Sequence, residues 1–128
     1  MNKEKALRLL EQLLSRSNFV VYPKMKEELL AIIAKSGVEK KVFTTLISRL
    51  EFLSNHKQQA QLHYKEFEHI GDGIYSMHID VNQLNIRILY SFKDPDTVLL
   101  LAFFERGGKN HTDYTPKIPE AKRRLREF

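Results

Sequence analysis

The repeat of the hydrophobic residues changes once along this chain, near Asn55, and that change limits what it can fold into. Before it, apolar residues recur at spacings of three and four, the repeat of helices with one buried face. After it, they alternate with polar residues, the repeat of half-buried strands. Helices in series followed by strands in series predict an α+β domain, with an antiparallel sheet of three or four strands packed on the N-terminal helices. At 128 residues there is room for one hydrophobic core, so residues 1–128 are read as one domain.

The first helix spans about residues 3–16, with Ala6, Leu10, Leu13 and Leu14 on one stripe. A short extended stretch from Phe19 to Tyr22 follows. Pro23 suits the first turn of a second helix, where its missing N–H costs nothing. That helix buries Met25, Leu29, Ile32 and Ile33 and ends at Gly37. The third, about Val38 to Leu53, carries Val38, Val42, Leu46, Leu50 and Leu53 on its apolar face. Past the polar stretch NHKQQAQ, the turn Gly71-Asp72-Gly73 leads into IYSMHIDV and NIRILYSF, and Asp94-Pro95-Asp96 leads into TVLLLAFF, apolar on both faces as a covered strand would be. Short turns join the strands, so an antiparallel meander is the simplest topology. Pro116 and Pro119 introduce a short C-terminal helix, PEAKRRLREF, which docks Ala121 and Leu125 and leaves Lys122, Arg123, Arg124 and Arg126 solvated.

Composition removes several classes of function. The chain has no cysteine, so disulfides and thiolate metal sites are excluded and a reducing cytoplasm fits best. The N-terminus mixes charge with leucine, unlike a signal peptide, and no apolar run is long enough to span a membrane. Phosphate loops, zinc-protease helices, nucleophile elbows and calcium loops are all missing, and the histidines at 56, 63, 69, 78 and 111 suggest no metal set. The net charge of +5 is uneven. Residues 1–54 carry ten Lys/Arg against six Asp/Glu, residues 55–104 four against six, and residues 105–128 seven against four. Basic ends suit RNA or an acidic protein partner.

Strand register brings candidate chemistry together. If IYSMHIDV and NIRILYSF form a hairpin closed at Asp80 and Asn85 by a four-residue loop, His78 lies opposite Arg87 on the non-apolar, solvent-facing side. The guanidinium then favours the neutral imidazole, which can accept a proton while arginine binds phosphate. After the last strand, ERGGKNHTDY gathers Arg106, Lys109, His111 and Tyr114 in one loop, a natural place for phosphate contacts and base stacking.

The segment GDGIYSMHID, NIRILYSF, LLLAFFERGGKNHTDYTPKIPEAKRRL resembles the RelE/ParE toxin superfamily, closest to its HigB-like and phage-derived members. The resemblance covers about residues 65–127, the two preceding helices matching the family's helical hairpin in pattern. It lies in Ile86-Arg87-Ile88-Leu89-Tyr90, in Gly73-Ile74-Tyr75, and in the basic segment and helix from Arg106 to Arg124. RelE carries two lysines where this chain has Ser76 and His78. The first helix, within residues 1–18, has no counterpart in the family.

The resemblance implies a RelE-like fold and a type II toxin that cleaves mRNA on the ribosome without metal or cofactor, held in check by an antitoxin protein encoded nearby. By position it implies Arg87, Arg106 and Tyr114 as site residues. His78 is the expected base, and Lys109, His111, Arg123 and Arg124 are expected to bind RNA. A non-catalytic gyrase inhibitor on the same fold and a nucleic-acid-binding regulator are the alternatives. Convergence of His78, Arg87, Arg106 and Tyr114 on one face separates the enzyme from them.

Overall fold

A computed structural model describes residues 3–15, 19–63, 65–106 and 112–128. The order is α1 (Lys3–Leu14), β1 (Phe19–Val21), α2 (Pro23–Ser36), α3 (Glu39–His56), a 3-10 turn (Lys57–Leu62), β2 (Phe67–Gly71), β3 (Ile74–Val81), β4 (Leu84–Lys93), β5 (Asp96–Arg106) and α4 (Ile118–Leu125). The protein is α+β, as its change of period predicts, but the sheet has five strands in the order β1-β5-β4-β3-β2. It is mixed rather than purely antiparallel. Phe19–Val21 joins as a parallel edge strand on β5, with Val21 opposite Leu99. Three residues are too few to show a period, and the parallel pairing depends on a partner nearly eighty positions away.

Local signals explain the element ends. Pro23 opens α2, and Gly37 closes it in the left-handed region at φ 74°, where a glycine has no side chain to clash. The β3–β4 turn is tighter than the four-residue loop expected. The ladder runs one pair further, to Val81 opposite Leu84, leaving Asn82 and Gln83 to turn the chain at positive φ, the conformation of a two-residue hairpin turn. The register itself is as read from the sequence: His78 faces Arg87, and Asp80 faces Asn85.

Both faces of the sheet are covered. The larger core lies between α1–α3 and the side carrying Met77, Ile79, Ile86, Ile88 and Tyr90. The face expected to be open to solvent holds a second, smaller core in which Ile74, Leu89, Val98, Leu100 and Leu101 pack with Tyr114 and Ala121. Ser76, Arg87 and Ser91 on that face are buried as well. The reason is α4, which folds back over this side of the sheet.

β5 contains one extra residue relative to β4: Leu89 pairs with Leu101 but Tyr90 pairs with Leu99. This bulge lets Leu100 and the adjacent Leu101 both enter the smaller core. β1 ends opposite Leu99, so β5 runs on past it with backbone groups on that edge. Tyr22 N–H donates to the Leu99 carbonyl at 2.9 Å, Arg124 Nη1 donates to the Leu100 carbonyl at 2.9 Å, and Ala102 N–H donates to Glu28 Oε1 at 3.2 Å. Glu28 and Arg124 complete the arrangement with two parallel hydrogen bonds of 2.8 Å each. Arg124, expected to be solvated and to bind RNA, is therefore buried and committed to a carboxylate. Its place on a helix of cations hid this.

Removing Glu28 takes two charge-assisted hydrogen bonds from the buried Arg124 and leaves it Glu120 as a carboxylate partner, so Glu28→Ala should lower stability by about 1.5–3 kcal/mol in urea unfolding. A loss within 0.5 kcal/mol, as for an ordinary surface site, would mean that the pair contributes nothing. The Tyr90 hydroxyl is buried with no hydrogen-bond partner among the described residues, although its ring stacks on Tyr75 at 5.5 Å. Tyr90→Phe keeps the stacking and removes the orphan group. It should raise stability by about 1 kcal/mol, and a fall in the urea midpoint would contradict this.

Candidate functional site

The site lies where β2 begins and leaves the edge of β3 uncovered. Both backbone groups of His78 are held, its N–H donating to the Glu66 carbonyl at 2.8 Å and its carbonyl accepting from Arg49 Nε at 3.0 Å. Alternation along β3 puts Ser76, His78 and Asp80 on the α4 side. Pairing with β4 brings in Arg87, and the segment leading into α4 brings Tyr114 over them.

The imidazole of His78 touches three groups. Nδ1 is 2.9 Å from the Lys65 carbonyl, an acceptor only, so Nδ1 carries a proton. Nε2 is 3.1 Å from the Tyr114 hydroxyl and 3.2 Å from Glu68 Oε1. A neutral ring accepts from Tyr114 through Nε2, whereas a protonated ring donates from Nε2 to Glu68. The site thus has a partner ready for each protonation state. Tyr114 Oη also lies 2.9 Å from Ser76 Oγ, and the two hydroxyls can share either proton.

Burial and charge set which state dominates. Desolvation first, and the Arg87 guanidinium second, hold the His78 pKa below the usual 6.5, against an opposing pull from Glu68. The ring is neutral at pH 7. Burial pushes the Tyr114 phenol up to about 12, so it stays protonated and available as a donor. Arg87 donates from Nη1 to Asp80 Oδ1 at 2.7 Å and to the Ile86 carbonyl at 3.1 Å, and from Nε to Thr112 Oγ1 at 3.2 Å. Its side chain is 9% exposed while that of Asp80 is 55% exposed, so one end of this pair opens to solvent.

Of the residues singled out from the sequence, His78, Arg87 and Tyr114 come together. The backbone of Arg106 ends β5 opposite Leu84, but its side chain, with Lys109 and His111, lies outside the described residues. Arg123 sits on the outer side of α4 and pairs with Glu120 and Glu127. Glu68, Ser76, Asp80 and Thr112 were missed as site residues. Strand parity signals Ser76 and Asp80, which share the face of His78. Glu68 had no such signal, because β2 is five residues long and carries a bulge between His69 and Gly71. Among the described residues no group of three or more His, Asp or Glu is placed to hold a metal ion, and no helix is long and apolar enough to cross a membrane. Compared with protein-family models, curated proteins and solved structures, the chain matches none.

The lowered His78 pKa makes stability depend on pH with a definite sign. Above about pH 6.5 the ring is neutral both folded and unfolded and adds no pH dependence. As pH falls below 6.5 the unfolded chain takes up a proton that the folded site resists, so stability drops until the folded pKa is passed. His78→Gln should remove this slope, so its stability relative to the parent should rise between pH 7 and pH 5. Parallel urea-midpoint curves for the two proteins would show that His78 titrates as an exposed histidine does.

Proposed function

We propose that this chain is a metal-independent endoribonuclease of the RelE/ParE type, the toxin of a toxin–antitoxin pair, cutting mRNA on translating ribosomes. The observation that supports it most is the contact of 3.1 Å between His78 Nε2 and the Tyr114 hydroxyl, across the ladder from the buried guanidinium of Arg87. RNA cleavage by its own 2′-hydroxyl needs a base, a cation for the developing phosphorane charge, and a proton for the leaving oxygen. Neutral His78 accepts the 2′-hydroxyl proton at Nε2 as the 2′-oxygen forms its bond to phosphorus. Arg87 stabilises the charge on the phosphorane. The bond from phosphorus to the 5′-oxygen then breaks, and that oxygen takes a proton from Tyr114, which regains one from His78. The products are a 2′,3′-cyclic phosphate and a 5′-hydroxyl, and both side chains end as they began.

A cleft of about 420 Å³ bounded by α3 and β2 has Phe52 and His63 on its wall and Arg49, the donor to the His78 carbonyl, at its edge. It offers room for a base to stack. A helical hairpin ahead of antiparallel strands, with a final helix, also agrees with the order of elements in that superfamily. One observation favours a protein-binding toxin instead: Arg87 is already satisfied within the fold by Asp80, Ile86 and Thr112, as a structural arginine would be. The proposed partners of the enzyme are the ribosome, mRNA and an antitoxin encoded nearby, and its proposed location is the cytoplasm.

The test is induced expression with and without the neighbouring reading frame, followed by mapping of RNA ends. The expected result is arrest relieved by the neighbour, and new ends bearing 2′,3′-cyclic phosphate. Arrest with intact mRNA would transfer the case to the protein-binding toxin. Asp80 provides a finer check, since its carboxylate holds the guanidinium atom a phosphate oxygen would use. Asp80→Asn weakens that competition, so KM for RNA should fall severalfold with kcat within about twofold, and a raised KM would show that Asp80 orients Arg87 instead.

A further inference from the structure

We propose that the buried Glu28–Arg124 pair is a positioning device, anchoring α4 so that the Tyr114 hydroxyl is held against His78. It rests on the endoribonuclease reading only where turnover is concerned, because the geometry of Tyr114 and His78 can be read without any substrate. Tyr114 and α4 move as one piece: the Tyr114 carbonyl accepts from Lys117 N–H at 2.8 Å and from Ile118 N–H at 3.1 Å, where the helix starts. Tyr114 and Ala121 are also buried in the same small core against Leu100 and Leu101. Where α4 docks therefore decides where the hydroxyl lies.

Most other polar ties of α4 lie at the surface. Lys122 meets Asp72 at 3.3 Å with both side chains more than 40% exposed, and Arg123 pairs mainly within its own helix. Such pairs fix a position poorly. Arg124 differs in being 6% exposed, in gripping Glu28 through both oxygens, and in donating to the Leu100 carbonyl inside the bulge. Its guanidinium also lies over the Tyr22 ring, 4.8 Å from the centroid. Glu28 stands on α2 and accepts from Ala102 N–H. Sheet, first-layer helix and last helix thus meet at one ion pair, and a fork to a carboxylate fixes direction as well as distance.

The experiment follows the His78 imidazole by NMR titration in the full-length protein, alongside cleavage by parent, Arg124→Met, Tyr114→Phe and the double variant. Among the described residues, the charged and titratable groups facing His78 are Glu68 on β2, Asp80 on β3, Arg87 on β4 and Tyr114, with Arg49 of α3 on its carbonyl, and none of them is altered by Arg124→Met. Freeing α4 admits water to the ring, so the His78 pKa should move up toward its ordinary value. Displacing an aligned group by about 1 Å can cost up to roughly a hundredfold, so kcat should fall about ten- to a hundredfold with little change in KM. The double variant should turn over no more slowly than Tyr114→Phe alone, because a positioning residue loses its effect when the group it positions is gone. Glu28→Gln keeps the shape and loses the charge, and it takes the place of Arg124→Met if that protein does not fold. An unmoved His78 titration in a folded variant, or losses that multiply in the double variant, would overturn the proposal. Absence of RNA cleavage by the parent would defeat the nuclease reading alone, leaving the titration to decide the positioning role.

Discussion

The single additional residue in β5 organises much of this molecule. A strand that paired regularly with β4 along its whole length would send Leu100 and Leu101 to opposite faces. The bulge sends both to the α4 side, and this gives the smaller core enough apolar surface to hold a two-turn helix. Beyond Leu99, where β1 ends, β5 carries backbone groups that no strand on that edge reaches, and buried groups of that kind must find partners. Glu28 and Arg124 supply them. The ion pair is consequently more than a charge contact, because each partner also satisfies a main-chain group of β5 that no strand satisfies.

That covering changes the chemistry of the face beneath it. Left open, His78 and Arg87 would face each other through water, where two unit charges at about 4 Å interact by only about 1 kcal/mol. Under α4 and Tyr114 they interact at reduced dielectric, which makes the cation beside the imidazole effective in keeping it neutral. Glu68 opposes this from the β2 side, but its carboxylate is 43% exposed while the His78 side chain is 14% exposed. Solvent screens the carboxylate more than it screens the arginine, so the pull toward the protonated form is the lesser one.

The sequence shows the local rules and hides the choice of partner. Alternation in IYSMHIDV and NIRILYSF, with a hairpin closed at Asp80 and Asn85, placed His78 opposite Arg87: a one-residue slip would move every apolar side chain to the wrong face, and the short turn excludes larger ones. Gly37 and Pro23 marked their helix ends for equally local reasons. Phe19 to Tyr22 read as extended, but its parallel pairing could not be read, since nothing within three residues specifies β5 as its neighbour. The burial of Arg124 was also hidden. A helix written PEAKRRLREF looks solvated on every side except Ala121 and Leu125, and only the distant Glu28 turns one of its arginines inward. The covered site face followed from the same omission, because a helix docked by a buried arginine leaves no long apolar stripe.

Two buried arginines on one side of the sheet invite the question of which can take a phosphate. Arg124 is held by two oxygens of one carboxylate, a second carboxylate from Glu120 and a main-chain carbonyl. An incoming anion would have to break the two-pronged pairing with Glu28, whose side chain is 24% exposed, as well as the bonds to Glu120 and the Leu100 carbonyl, the costly direction of exchange. Among the described residues Arg87 has one carboxylate partner, through one nitrogen, and that partner is more than half exposed. In the proposed cleavage, Asp80 would give way to a phosphate oxygen and return to water, where it is well solvated, while the guanidinium kept its hydrogen bonds to Thr112 and Ile86. The exchange replaces one anion by another at nearly constant charge. Arg87 is thus fixed in direction by its neutral partners and exchangeable at its charged one, which is what a cation poised for a transient phosphorane requires and what Arg124, for all its similar burial, does not offer.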